Sequence, residues 1–578
     1  MSATRPWPAV DMAAALARLT APGAPFEMST VEVHGRSLRV YVQAKSHLRQ
    51  VLDESRRFGD REFLVFEGER LGFEAHWRAA SAFGRALTAR LGVSKGDRVA
   101  VAMRNFPEWS IAAWGALAVG AVLVPLNAWE PGSSLARMLR DSGAKVAVVD
   151  AERLNRLTPE LNAGDAVRLV LVRGEAPEDI QRFTDLIGPP DGYRALPGEP
   201  APPLDLQPDD LATIFYTSGT TGHSKGALGT HRNVASNLIN TGFRAARAAV
   251  RRGDSWPQAA AIPAERRQLL PLPFFHVTGF HSTLVPALAN GVTLFLMHRW
   301  DVQAALSLIE RECVQALTLV PAQAWQLVDA VTARGRGVSS VDTVGYGGAA
   351  AAAELAGRVR DTFPGAFPGQ GYGATETSSL VAATSHEDML ARPGSVGVAM
   401  PCCDLRIVDD DGRDVAVGAP GELWVSGPNV VLGYWEAPEA TAAAFVDGWY
   451  RTGDIGRIDQ DGFVTILDRA KDMLIRGGEN IYCVEIEDVL MGHPAVAEAA
   501  IVGIPDRILG DTVGALVRLK VGCAADPADL QAHVAGRLAA HKVPVELHLR
   551  FAPFPRNAAG KVLKRELRDE LLAALADG

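Results

Sequence analysis

The sequence predicts an α/β protein. It has a large amino-terminal domain of parallel-type α/β sheet subdomains plus a small antiparallel β-barrel or sheet, and a small α+β domain at the carboxyl end. Three observations carry this. From about Ser81 to Val149, short apolar runs alternate with helical patterns, which implies βαβ units around a parallel sheet covered on both faces. From about Cys402 the texture becomes short strands separated by Gly and Asp turns. From near Lys471, helix, strand, strand and helix patterns follow within roughly a hundred residues.

In chain order, "MSATRPWPAVDMAAALARL" contains Asp11 and two early prolines and lacks a long apolar core, so it is not a secretory signal. "DRVAVAM" reads as a strand, "EWSIAAWGALAVG" as a helix, and "AVLVPL" and "AKVAVVD" as strands. The run Trp109 to Trp129 has the hydropathy of a membrane span, but Gly115, Gly120 and Pro125 interrupt it. It is read as a buried helix leading into a buried strand. "RAARAAVRRGDSWPQAAAIPAERRQ" (244–268) is expected as a surface loop or frayed helix. Its arginines are candidates for the phosphates of a ligand or weak contact with an anionic membrane, a solvated loop being the simpler reading. "ALTLVP" and "TVGYGG" resume the α/β pattern, and "LRIVDDDGRDV", "GELWVSG" and "GFVTILDR" are the antiparallel strands. "IEDVLMGHPAVAEAAIVGIPD", "GALVRLKVG" and the amphipathic helix "PADLQAHVAGRLAAHKVP" close the chain. The division expected is a lead-in over 1–57, a large domain over 58–470, and a terminal domain over 471–578.

Across 578 residues the hydrophobic fraction is 48% and the charged fraction 22%, values of a globular chain with a large core. A net charge of -9 argues against a nucleic-acid partner. The five cysteines form no C-x-x-C pair and no His-flanked metal pattern, and are expected as reduced, mostly buried thiols of a cytoplasmic protein.

The stretch that points to chemistry is "YTSGTTGHSKGAL", Tyr216 to Leu228. Gly219, Gly222 and Gly226 permit backbone angles that expose N–H groups. Thr217, Ser218, Thr220 and Thr221 add hydroxyl donors, and Lys225 adds positive charge. Together these are the equipment for holding phosphate oxygens. The lysine is followed by Gly and not by a hydroxyl residue, so this is not a Walker loop. Further along stand "PLPFFHVTGF" (Pro271–Phe280), "YGGAA" (Tyr346–Ala350), "GYGATET" (Gly371–Thr377), "GELWVSGPNVVLGYW", "WYRTGD" ending at Asp454, "DRAKDMLIRGGENIYCVEIE" and "PRNAAGKVLKREL" (Pro555–Leu567). Alone, Glu376 or Asp454 would be a solvated carboxylate, His276 a core histidine, and Lys561 one charge of a basic face.

In this order the motifs resemble those of the adenylate-forming superfamily, over about Phe58 to the carboxyl terminus, and most closely its fatty- and related acyl-CoA synthetases. The resemblance implies an enzyme in which a carboxylate attacks the α-phosphate of ATP, pyrophosphate leaves, and the acyl-AMP is passed to CoA. It assigns the β- and γ-phosphates to Thr217–Lys225, adenine to the strand end Tyr346–Ala350, ATP or AMP contacts to Gly348, Ala349, Gly371, Tyr372, Gly373 and Thr375, and Mg²⁺ to Glu376. Asp454 would accept the ribose hydroxyls, Arg469 would contact the ribose or its phosphate, and Lys561 would bridge carboxylate and α-phosphate. His276, Gly347 and Gly371 would line the acyl pocket, and Thr217, His276, Glu376 and Lys561 would form the catalytic set. Gly477 and Gly478 would border the CoA tunnel, with Lys471 the hinge of a mobile terminal domain. Ser224, Cys483, Arg556 and Asn557 depart from common residues of the family, yet none removes a chemical group the reaction needs. The acid is expected to be fatty, bulky or aromatic, and the protein a monomer or homodimer. The alternatives are transfer of the acyl group to a carrier protein or an amine, luciferase-like oxygenation, and a nucleotide-binding regulator without chemistry.

Overall fold

Buried β-branched runs pair into parallel sheets, and the helices between them cover the faces. The computed structural model describes residues 7–577 apart from 163, 176, 179, 218–223, 255–264, 336, 349–353, 385–386, 477–478 and 557–561. Among the described residues the first large sheet has seven strands. Arg98–Ala102 lies at its centre, parallel to Val122–Pro125 and Val146–Asp150. Leu211–Tyr216 joins parallel to Val122–Pro125, and Gly226–Thr230 returns antiparallel as the edge. The second large sheet has nine strands. Its centre runs parallel through Val292–Leu296, Arg266–Leu270, Ala316–Leu319, Thr343–Gly347 and Phe367–Ala374.

The membrane-like run is the helix Pro107–Ala118 followed by the strand Val122–Pro125, with every residue of both buried. Proline at its first turn lacks only an N–H that would be unpaired there. Trp109 and Trp114 are fully enclosed, and burial of such side chains stabilises by about 1.5–3 kcal/mol each. Gly115 lets the helix press against Phe73–Ala89: a Cβ there would meet the Ala80 carbonyl oxygen and Phe83 Cδ1 at 2.8 Å. Among the described residues no helix is long and apolar enough to cross a membrane.

The lead-in is folded onto the large domain. Helix Met12–Thr20 and the hairpin Met28–Val33/Arg36–Tyr41 share a core with Phe243, Val250 and Val381, and Tyr41 Oη donates to Asn240 Oδ1 at 2.7 Å. After Cys403, Asp404–Val408, Gly421–Ser426, Trp449–Ile458, Phe445–Val446 and Val464–Arg469 form a five-stranded antiparallel sheet. The terminal region builds its own five-stranded sheet around Val496–Asp506 and Gly510–Leu519, backed by helices Cys483–Met491, Pro527–Ala535 and Lys564–Asp577. Cys402, Cys403 and Cys483 are buried free thiols, and Cys313 and Cys523 are exposed.

Two expectations are corrected. The arginine-rich segment does not begin as a surface loop: 244–251 are the last two turns of the 21-residue helix His231–Arg251. Arg247 and Arg251 are buried, with Arg247 Nη2 donating to the Ala383 carbonyl at 2.5 Å and Arg251 pairing with Asp388 at 2.7 Å. They are therefore structural and face neither CoA nor a membrane. The part over 255–264 lies outside the described residues. The last amphipathic helix is also shorter than its pattern: Pro527–Ala535 ends at Gly536, and a single 3₁₀ turn follows at Ala540–Lys542.

Candidate active site

The carboxyl ends of the parallel strands open into a cavity of about 1500 Å³, the place where α/β sheets bind ligands. Thr217, Lys225, His276, Gly347, Gly348, Gly371, Tyr372, Gly373, Thr375, Glu376, Asp454 and Arg469 all line it. Ser218, Gly219, Thr220, Thr221, Gly222, Ala349, Gly477, Gly478 and Lys561 lie outside the described residues. At the neck of the glycine-rich loop, Thr217 N donates to the Lys225 carbonyl at 2.8 Å. The strand leaving the loop is stitched to Gly433–Trp435, through Leu228 N to the Gly433 carbonyl at 2.9 Å and Trp435 N to the Gly226 carbonyl at 2.7 Å. Lys225 thus stands over the Tyr434 ring, its Nζ 5.2 Å from the centroid.

Glu376 sits in the 3₁₀ turn Thr375–Thr377, only 9% exposed. Its backbone carbonyl accepts from Val431 N at 2.9 Å, and Asn429 Nδ2 donates to the Thr377 carbonyl at 2.9 Å. Its Oε1 accepts from Tyr434 Oη at 2.7 Å. Burial and the Glu376 charge push the Tyr434 phenol far up, so it stays a donor. The preceding strand approaches its neighbour too closely for a side chain at Gly373, where a Cβ would fall 1.4 Å from the Ser379 carbonyl oxygen.

Asp454 and Arg469 face each other across an antiparallel ladder. Arg469 Nε lies 2.6 Å from Asp454 Oδ1, and Tyr372 Oη donates to Oδ2 at 2.5 Å. Burial and then the Asp454 charge push the Tyr372 phenol well up. Burial lowers the Arg469 pKa, but Asp454 outweighs it and the net shift is upward. This carboxylate is 5% exposed and rigidly aimed. His276 caps the short helical segment Val277–Gly279. Its buried Nε2 has no hydrogen-bond partner among the described residues, and burial pulls its pKa down to about 4, leaving it neutral.

The terminal domain closes the cavity with Arg556, Val562 and Lys564, which flank Lys561 in sequence, and with Glu487. Lys564 Nζ pairs with Glu487 Oε1 at 2.6 Å. Burial pulls the Lys564 pKa down, but Glu487 and its neighbours hold it up. Arg476, which precedes 477–478, instead donates to the His541 carbonyl at 2.9 Å. Lys471 follows the strand Val464–Arg469, in the turn before Leu474–Arg476. Tyr434, Tyr450 and Lys564, to which sequence reasoning gave no role, line the cavity too, as does Arg244. Tyr434 lies inside "VVLGYW" and Lys564 three residues after Lys561, so their neighbourhoods were legible where their partners were not.

The family model described as AMP-binding enzyme matches residues 51–435, and that of the AMP-binding enzyme C-terminal domain matches 485–561. The chain belongs to the AMP-binding enzymes. Within them it falls in the acyl-CoA synthetase branch of the adenylate-forming superfamily. A feruloyl-CoA synthase of Amycolatopsis sp is 35% identical over 477 residues, which are 82% of this chain and 89% of that protein. A long-chain-fatty-acid–CoA ligase of Yersinia pestis is 32% identical over 542 residues, 89% of this chain and 92% of that one. The solved o-succinylbenzoate CoA synthetase of Bacillus subtilis, in complex with its acyl-adenylate intermediate, superposes with a TM-score of 0.73 at 28% identity, covering 91% of this chain and 99% of that chain. The two family-model matches leave 436–484 between them, the stretch that holds Asp454, Arg469 and Lys471.

Proposed function

We propose that this AMP-binding enzyme is an acid–thiol ligase: it converts a carboxylic acid of largely apolar body, ATP and CoA into acyl-CoA, AMP and pyrophosphate. The observation that carries the reading is the convergence of Lys225, Glu376 and the Tyr372–Asp454–Arg469 cluster on one cavity, closed by the residues that flank Lys561.

Adenylation brings two anions together, so the site must place cations and donors where charge spreads over phosphoryl oxygens. Lys225 and the loop 218–223 hold the β- and γ-phosphates, and Lys561 meets the attacking carboxylate at the α-phosphate. Asp454, held by Tyr372 and Arg469, accepts the ribose hydroxyls and fixes the α-phosphate for in-line attack. The neutral His276 closes the acyl side without placing a competing cation there.

Among the described residues no three His, Cys, Asp or Glu side chains converge to cage a metal. Glu376 supplies one oriented carboxylate on the cavity wall, which fits Mg²⁺ held by one protein carboxylate plus substrate phosphates. Bound there, the ion would offset triphosphate charge. The terminal domain then turns at Lys471, so that Lys561 leaves and Gly477–Gly478 border the path of the thiol, each step shielded from water.

The reading is tested by screening carboxylic acids for AMP and pyrophosphate release with and without CoA. Acid-dependent AMP with a CoA-dependent thioester supports it. ATP binding without any acid-dependent turnover would leave a nucleotide-binding regulator.

A further inference from the structure

Arg244, Arg247 and Arg251 stand in the last two turns of helix His231–Arg251 and Arg252 caps it, and two of these four have a carboxylate partner. Arg251 pairs with Asp388 and Arg252 with Asp254 at 3.1 Å, whereas Arg247 donates only its Nη2, to the Ala383 carbonyl, and its Nε and Nη1 have no partner among the described residues. Arg244 differs. Its side chain lines the cavity, and among the described residues it has no hydrogen-bond or ion-pair partner. In sequence, 255–264 and 385–386, which lie outside the described residues, contain no Asp or Glu. Burial lowers the Arg244 pKa with no carboxylate offsetting it. A guanidinium stays protonated under such conditions, and a half-buried cation without a counter-ion loses hydration that no protein charge offsets.

The position of this charge along the cavity is set by the sheet. Gly369 pairs with Gly345, and Gly371 with Gly347. A Cβ at Gly369 would lie 3.6 Å from Arg244 Nη1. Two residues separate Gly369 from Gly371, about 7 Å along the strand, and the strand then runs on through Tyr372 to the turn of Glu376. The guanidinium therefore stands beside the amino-terminal half of the strand whose carboxyl end carries Gly371 and Tyr372 into the cavity. Of the other polar groups lining the cavity, Gln268 Nε2 donates to Thr318 Oγ1 at 2.7 Å and Ser282 Oγ lies 2.6 Å from Ser379 Oγ, while His276 Nε2 and Arg358 Nε have no partner among the described residues.

We propose that the acid activated here carries a second carboxylate at the end remote from the reacting one, and that Arg244 receives it. The inference rests on the adenylation reading and narrows its substrate to α,ω-dicarboxylic acids with an apolar middle. A bidentate carboxylate would supply the counter-charge the protein withholds and fix how deeply the acid enters. A monocarboxylate of equal length would leave the guanidinium unpaired, and a site built for a polar partner rejects an analogue lacking it strongly.

The test measures CoA-dependent AMP release by the full-length enzyme for dicarboxylates from succinate to dodecanedioate, each beside the monocarboxylate of equal length, with terephthalate beside benzoate. At the best length the dicarboxylate should exceed its monocarboxylate at least tenfold in kcat/KM. Arg244→Met should reverse that preference mainly through KM, and Arg244→Lys should retain part of it. Because Arg244 has no partner among the described residues, Arg244→Met should melt no lower than the parent without ligand, and dicarboxylate should raise the melting temperature of the parent alone. Equal or better use of monocarboxylates at every length would overturn the proposal, as would an equal loss for both series in Arg244→Met or a large fall in its melting temperature. Absence of AMP release with every acid would instead bring down the adenylation reading, and this inference with it.

Discussion

Tyr434→Phe removes one oxygen and leaves the ring beneath Lys225 in place. The lost bond is the 2.7 Å donation from Tyr434 Oη to Glu376 Oε1, on a carboxylate that is 9% exposed. A hydrogen bond to a charged group contributes about 1.5–3 kcal/mol, and each 1.36 kcal/mol is a factor of ten in rate. If the bond aims Glu376 at the metal of MgATP, adenylation at limiting Mg²⁺ should fall by about tenfold to 150-fold. The assay is acid-dependent pyrophosphate release titrated with Mg²⁺, beside thioester formation from a supplied acyl-AMP. The apparent Mg²⁺ requirement should rise, excess Mg²⁺ should restore part of the rate, and the second half-reaction should change by no more than about twofold, as it holds no triphosphate. An unaltered Mg²⁺ titration, or an equal loss in both half-reactions, would show that Tyr434 only packs.

Glu376→Gln keeps size and removes the charge, so adenylation should fall by orders of magnitude while a supplied acyl-AMP still yields thioester; near-normal turnover at low Mg²⁺ would place the metal elsewhere. Lys561→Ala should abolish acyl-AMP formation and spare thioester formation, and a joint loss with the fold intact would refute the two-pose scheme. Asp388→Asn leaves the Arg251 guanidinium buried without its counter-charge, costing about 3–5 kcal/mol, visible as a lower urea midpoint; an unmoved midpoint would deny the pair its structural role. Burial pulls His76 and His281 down to about 3 and His231 to about 4, each no more than 1% exposed. The unfolded chain binds their protons below about pH 6.5 and the fold does not, so their contribution is intact above that value and declines as pH falls toward 4. The slope is about 1.4 kcal/mol per pH unit for each histidine, and melting curves from pH 7 to about 5 that stay level would contradict it.

The alternation of apolar runs from Arg98 to Asp150 and the buried character of Pro107–Ala118 were legible because parallel strands and their covering helices need continuous apolar segments. The positions of Glu376, Asp454 and Arg469 on one cavity were legible through ordered motifs. The arginines of 244–251 were misread because composition registers charge but not depth: Asp388 and the Ala383 carbonyl, which bond Arg251 and Arg247, stand more than a hundred residues away. Tyr434 escaped for the same reason, since its bond to Glu376 spans 58 positions. Partners distant in sequence leave no local pattern, and those partners decide whether a polar residue is a strut, an orienting group or an open receptor such as Arg244.

The central claim is that a carboxylate oxygen of the substrate attacks the α-phosphate of ATP. It is tested most directly by turning over an active acid labelled with heavy oxygen at its carboxylate, in the presence of CoA, and weighing the products. The account predicts one labelled oxygen in AMP, none in pyrophosphate, and the remaining label in the thioester carbonyl. Label in pyrophosphate or inorganic phosphate, or AMP released without label, would contradict it.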